Sequence, residues 1–172
     1  MTLEDALKGT EAPLEVRESQ ILLTVPFYSF EGIQKEGQLV VHRELAKDLE
    51  EIFSELFLMR FPIEKMIPIV AYDWDDLRSM EDNNTSSFNY RVIMQTDRLS
   101  NHSWGRAIDI NPRTNPYFAR DGKVYPEGAQ YDTEALGAVT ADGPVVPLFK
   151  KRGWDWGGDW TSVKDYQHFE KL

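Results

Sequence analysis

Residues 100–110 read SNHSWGRAIDI. The alternation over Ala107, Ile108, Asp109 and Ile110 predicts a short strand. Ala107 and Asp109 share one face, and Ile108 and Ile110 the other. A carboxylate then points toward a site while the isoleucines enter the core. Gly105 predicts a tight turn just after His102, which lets His102 and Asp109 converge. A second segment near the end, Asp165-Tyr166-Gln167-His168, supplies another imidazole and another carboxylate. In a regular strand Asp165 and His168 would face opposite ways. They share a site only if the chain bends near Asp165, or if Asp165 precedes the regular strand.

The chemistry open to these residues is narrowed by what the chain lacks. There is no Cys, so disulfides, thiolate metal sites and Cys nucleophiles are excluded. A zinc site must then use imidazole and carboxylate. Of the three His, His102 and His168 lie in the two segments above, and His42, between a strand and a helix, reads as structural. Two His and Asp109 leave a fourth tetrahedral position for water, the catalytic pattern rather than the closed structural one. Asp165 is the candidate to take that water's proton and pass it to a leaving amine. Two His and a few Asp in a chain of 172 residues also occur as ordinary core and surface residues, so spacing alone leaves both readings open.

The rest of the chain frames this constellation. Ile21–Tyr28 and Gln38–His42 read as two strands joined through a polar, Gly-containing turn. Leu45, Leu49, Ile52, Phe53, Leu56 and Phe57 form one helical stripe that ends near Phe61-Pro62. Met66–Tyr72 reads as a buried strand. Asp73–Asn84 reads as an acidic, solvated turn; it lacks the Gly and terminal Glu of a calcium loop. Residues 111–140 hold three Pro and little periodicity, so they predict a functional loop bordering the site. A short helix is expected over Asp142–Arg152, capped by Asp142 and ended by Gly153. Lys164–Glu170 reads as a final strand.

Composition agrees with one domain. Residues 1–20 are polar and acidic and predict a leader or wrapping arm; residues 21–172 predict a single domain. Residues 1–90 carry a net charge of −10 and residues 91–172 balance to zero. Such a chain repels polyanions, which argues against nucleic-acid binding. No apolar run approaches the roughly 20 residues of a membrane span. No signal peptide is visible at the start. Asn-x-Ser/Thr matches at Asn83, Asn84 and Asn101 read as chance.

Ser100-x-His102-x-x-Gly105-x-Ala107-x-Asp109 is similar to the SxHxxGxAxD signature of the M15 metallopeptidases. Asp165-x-x-His168 resembles that family's second signature. Further segments resemble its carboxypeptidase-like, VanY-type branch: Asn84 to Arg91, Asp109 to Pro112 with Asn115 to Tyr117, Gly153 to Trp160, and His168 to Glu170. The resemblance covers roughly residues 66–172. It implies that His102, Asp109 and His168 bind Zn²⁺, that Asp165 is the general base and acid, and that Arg91 stabilises a developing oxyanion or holds the substrate carbonyl. It leaves Ser100 to hydrogen-bond substrate or orient its loop, and Trp156, with Trp154 and Trp160, to wall the cleft or sit in the core.

The fold so implied is α+β: a central antiparallel sheet carries zinc on one face and helices pack behind it, as in lysostaphin-type peptidases and the Hedgehog amino-terminal domain. The activity implied is hydrolysis of amide bonds in peptidoglycan stem peptides, of the D-alanyl-D-alanine carboxypeptidase type. L-alanyl-D-glutamate endopeptidase action and a non-catalytic cell-wall recognition module are the alternatives. The resemblance also implies a cell-envelope or secreted setting.

Overall fold

The computed structural model describes residues 1–94 and 96–172. Two short helices, α1 (Leu3–Ala6) and α2 (Leu14–Glu18), precede a long antiparallel hairpin of β1 (Gln20–Tyr28) and β2 (Gln34–His42). Its turn is closed by Ser29 and Ile33, and β2 begins four residues earlier than its apolar stretch suggests.

Leu23, Val25, Phe27, Leu39 and Val41 enter the main core, where they meet helix α3 (Ala46–Leu58) through Leu49, Ile52, Phe53 and Leu56. Val40 faces the other way, into a second cluster with Ala6, Ala12, Val16 and Phe88. The N-terminal segment is thus a wrapping arm that covers the outer face of the hairpin. That double burial explains why Leu39, Val40 and Val41 form an unbroken apolar run.

Two expectations are corrected in the next segment. Only β3 (Lys65–Met66) of the Met66–Tyr72 stretch is extended, and Ile69–Tyr72 is a 3-10 turn started by Pro68. Proline cannot donate to a ladder, and a short buried apolar run looks alike in strand and helix. Asp73–Asn84 contains helix α4 (Asp76–Glu81), with the Asp75 side chain accepting from the Arg78 amide at 3.1 Å. The strand β4 (Asn84–Thr85) then pairs in parallel with β3.

The sheet that matters for the site has three strands: β5 (Ala107–Asp109), β8 (Asp155–Trp156) and β10 (His168–Glu170), with β10 in the middle and both pairings antiparallel. A neighbouring antiparallel sheet contains β6 (Tyr117–Phe118), β7 (Val124–Tyr125) and β9 (Lys164–Asp165). The architecture is a mixed α+β arrangement of small sheets, not one continuous central sheet. The expected single strand Lys164–Glu170 is therefore two strands in two sheets. Helix α5 (Val145–Lys150) starts at Pro144 rather than Asp142 and is closed through Gly153, whose φ is +78°. No helix among the described residues is long and apolar enough to cross a membrane.

Candidate metal centre

Strand β5 has the predicted facing. Ile108 is fully buried beside Phe169, which stacks on Phe149 at 4.0 Å. On the opposite face Asp109 stands directly across from His168 in the β5–β10 ladder. Such cross-strand neighbours have Cβ atoms about 5 Å apart. His102 arrives from a 3-10 turn, Asn101–Trp104, which ends at Gly105 with φ +65°. A Cβ at Gly105 would lie 2.7 Å from the His42 backbone nitrogen, so the turn that delivers His102 requires glycine.

The three side chains converge. His102 Nε2 lies 3.1 Å from Asp109 Oδ2 and 3.2 Å from His168 Nδ1, which is 3.0 Å from Asp109 Oδ1. Each ring is fixed by its other nitrogen. His102 Nδ1 donates to the Ser87 carbonyl at 2.5 Å, and His168 Nε2 donates to Glu170 Oε2 at 2.9 Å. Glu170 is itself held by Asn101 Nδ2 at 2.8 Å. With those two nitrogens engaged outward, the remaining ring nitrogens face each other beside a carboxylate. Only a positive charge satisfies that grouping. A divalent cation held by two imidazoles and one carboxylate fits it, and these three residues are a possible metal-holding group.

The electrostatics say the same. Burial opposes ionisation of Asp109, but His102 and His168 outweigh it and hold the carboxyl well below its usual range. Burial likewise lowers His168, yet its bonds to Asp109 and Glu170 raise it to about 10. The pocket thus draws a cation to this spot, a proton where no metal is bound.

Around the triad lies a cavity of about 150 Å³. Asp165 is in its wall, with Oδ1 shut off from solvent and lacking a hydrogen-bond partner among the described residues. Burial raises its carboxyl to about 7; Asp109 and Asp76 push the same way, while His168 and Arg91 oppose them. Arg91 also lines the cavity, and its Nη2 pairs with Asp76 Oδ2 at 3.0 Å.

Residues 94–171 match the model of a peptidase M15 family described as D-alanyl-D-alanine carboxypeptidase. This segment is similar to the M15 peptidases. The match contains His102, Asp109, Asp165 and His168, and Arg91 lies just before it. No solved structure matches the chain.

The structure thus brings six of the seven expected site residues to one cavity, all but Trp156. Ser100 reaches the cavity wall, but its hydroxyl accepts from the His102 amide at 3.3 Å and so starts the turn carrying His102. Trp156 does not line the cavity: it pairs with Phe169 in the core, and its indole nitrogen donates to the Tyr166 carbonyl at 3.0 Å. Trp160 takes the wall position, with its ring 5.3 Å from that of His168.

The loop expectation also shifts. From residues 111–140 only Tyr117 lines the cavity among the described residues, whereas Ile93, Met94, Arg98 and Leu99 come from the segment after Arg91. Reading by sequence missed Asp76, the Ser87 carbonyl, Asn101 and Glu170. Of these only Glu170 had a signal, since it shares the strand face of His168 two residues away.

Proposed function

We propose that this protein is a zinc-dependent peptidase that hydrolyses amide bonds in bacterial cell-wall stem peptides, of the D-alanyl-D-alanine carboxypeptidase type in a VanY-like branch. The observation that carries the reading is the convergence of His102, Asp109 and His168, with both rings held from behind, in one cavity with an Asp165 oxygen that has no hydrogen-bond partner among the described residues. His102 Nε2, His168 Nδ1 and the Asp109 carboxylate would hold the zinc, which when bound acidifies water and polarises a carbonyl. With it, the fold would be of the zinc D-Ala-D-Ala peptidase kind that the motifs imply.

The chain's own residues supply the remainder. Asp165, raised to about 7 by burial, suits a group that must both take and give a proton near neutrality. It accepts the proton of the attacking water and returns it to the leaving amine. Arg91, oriented by Asp76, offers fixed N–H donors to the carbonyl oxygen as charge gathers there. Trp160 and Tyr117 close part of the wall and limit water. A binding module would have no use for an unpaired carboxylate oxygen in a closed wall, which favours the enzyme over the recognition-module alternative.

The test is incubation of the zinc-loaded protein with defined stem peptides and analysis of product masses. Release of a terminal D-alanine supports the carboxypeptidase reading. Cleavage between L-alanine and D-glutamate assigns the endopeptidase alternative. Binding without any cleavage overturns the enzyme reading.

A further inference from the structure

Among the described residues, five buried side-chain polar atoms have no hydrogen-bond partner: Gln20 Oε1, Arg91 Nε, Asp165 Oδ1, and both Oε1 and Nε2 of Gln167. Four of these five belong to residues in the wall of the cavity around His102, Asp109 and His168. Arg91 and Asp165 have work in the reaction above. Gln167 has none, yet it is the one side chain of the three whose whole polar end is unpaired.

Its position is fixed. Gln167 is 1% exposed and occupies the bend between β9 and β10, and its carbonyl accepts from the Ile110 amide at 3.0 Å. It stands between Asp165 and the ligand His168 in sequence and lines the same cavity as both. A buried carboxamide normally finds partners, because desolvating it without them is unfavourable. The cavity that Gln167 lines is the place from which a bound molecule would supply them.

We propose that Gln167 is a substrate-binding residue that pairs with a backbone peptide group next to the bond being cleaved. The chemistry of the carboxamide selects that partner. It presents one acceptor and one two-proton donor in a plane, and a peptide unit presents the complementary N–H and C=O. A terminal carboxylate would satisfy Nε2 only and set its second oxygen against Oε1. A metal ion would satisfy Oε1 and repel Nε2. The inference rests on the peptidase reading, and names what in the substrate that cavity recognises besides the cleaved bond.

The test uses zinc-loaded protein and a stem peptide ending in D-Ala-D-Ala. Gln167→Met keeps the length and removes both polar atoms. No internal hydrogen bond is lost, so melting temperature and zinc content should hold. KM should rise about 10- to 100-fold with kcat nearly unchanged, the mark of lost binding common to ground and transition states. A second measurement needs no variant: replacing the amide adjacent to the cleaved bond by an ester removes its N–H, and the parental protein should lose a similar factor in kcat/KM. Gln167→Met should lose little further on the ester. Hydrolysis with unchanged KM in Gln167→Met, or with no penalty for the ester in the parental protein, overturns the role of Gln167 alone. Absence of any hydrolysis by the parental protein overturns the peptidase reading and this inference with it.

Discussion

Asp165 and His168, three residues apart, belong to different sheets: Asp165 pairs with Tyr117 and His168 with Asp109. The crossing is pinned at both intervening residues, with the Tyr166 carbonyl accepting from Trp156 Nε1 and the Gln167 carbonyl from the Ile110 amide, each at 3.0 Å. Gly157 makes room for it, since a Cβ there would lie 2.5 Å from the Asp165 carbonyl oxygen. The bend lets two residues that a regular strand would aim apart line one cavity.

From this placement, Asp165→Asn should keep the fold and the metal while abolishing proton transfer. Hydrolysis should fall about 10²- to 10⁴-fold, the usual share of acid–base catalysis. Stem-peptide binding measured by calorimetry should be retained. Parental turnover in this variant would assign the base to another carboxylate.

Asp165 should also leave a signature in stability when zinc is chelated. Its folded pKa, raised by burial to about 7, exceeds the ordinary value of 3.8. Below about pH 4 the carboxyl is neutral in both folded and unfolded chains and contributes nothing. Between about 4 and 7 the unfolded chain ionises first, so this group lowers stability progressively, and its cost is complete above about 7. Asp165→Asn should therefore melt higher than the parental chelated protein at pH 8 and alike at pH 4. Equal melting temperatures at pH 8 would show that the carboxylate is not desolvated.

Metal content provides a separate check. Zinc should bind at about one ion per chain, and chelation should lower the melting temperature reversibly, because an ion held only by the folded state stabilises it. His168→Ala should lose most of the zinc while keeping secondary structure, since its ring faces the cavity rather than the core around Phe169. Full zinc occupancy in His102→Ala, Asp109→Ala and His168→Ala alike would move the metal elsewhere.

What sequence made legible was local. The facing of Asp109 against Ile108, the turn at Gly105 and the stripe of α3 follow from periodicity and backbone sterics, and each stands in the structure. What it hid was set by distant packing. Trp156 became core because its strand pairs with Phe169, a partner no local pattern reveals. Ile69–Tyr72 became a 3-10 turn because an apolar run fits either geometry. Asp76 looked like one more acid in a solvated turn. Only the tertiary fold sets it against Arg91, 15 positions further on.

Substrate choice should be governed by the segment after Arg91 rather than by residues 120–127. Ile93 and Leu99 are exposed apolar residues in the cavity wall, whereas Lys123–Gln130 line a separate surface depression. Ile93→Ser and Leu99→Ser should change the ratio of kcat/KM between stem peptides by about 10-fold, the scale of one apolar contact. Shortening the chain between Arg120 and Glu127 should leave that ratio alone. The opposite pattern would return specificity to the longer loop.

Arg91 and Asp76 are joined at 3.0 Å, and Asp76 is also held by Asn89 Nδ2 at 3.1 Å, so the guanidinium is anchored before substrate arrives. Arg91→Lys keeps the charge but loses the planar fork. It should lower kcat about 10²-fold or more, comparable to removing one oxyanion donor, with zinc content unchanged. Asp76→Asn keeps the bond from Asn89 on one oxygen and turns an amide toward Arg91 on the other. The guanidinium is then present but poorly aimed, and kcat should fall about 10-fold with little change in KM. Because Asp76 acts through Arg91, the double variant should be no slower than Arg91→Lys alone, a non-additivity expected only of coupled residues. Fully additive losses would show that Asp76 acts independently, and full activity in Arg91→Lys would remove Arg91 from the transition state altogether.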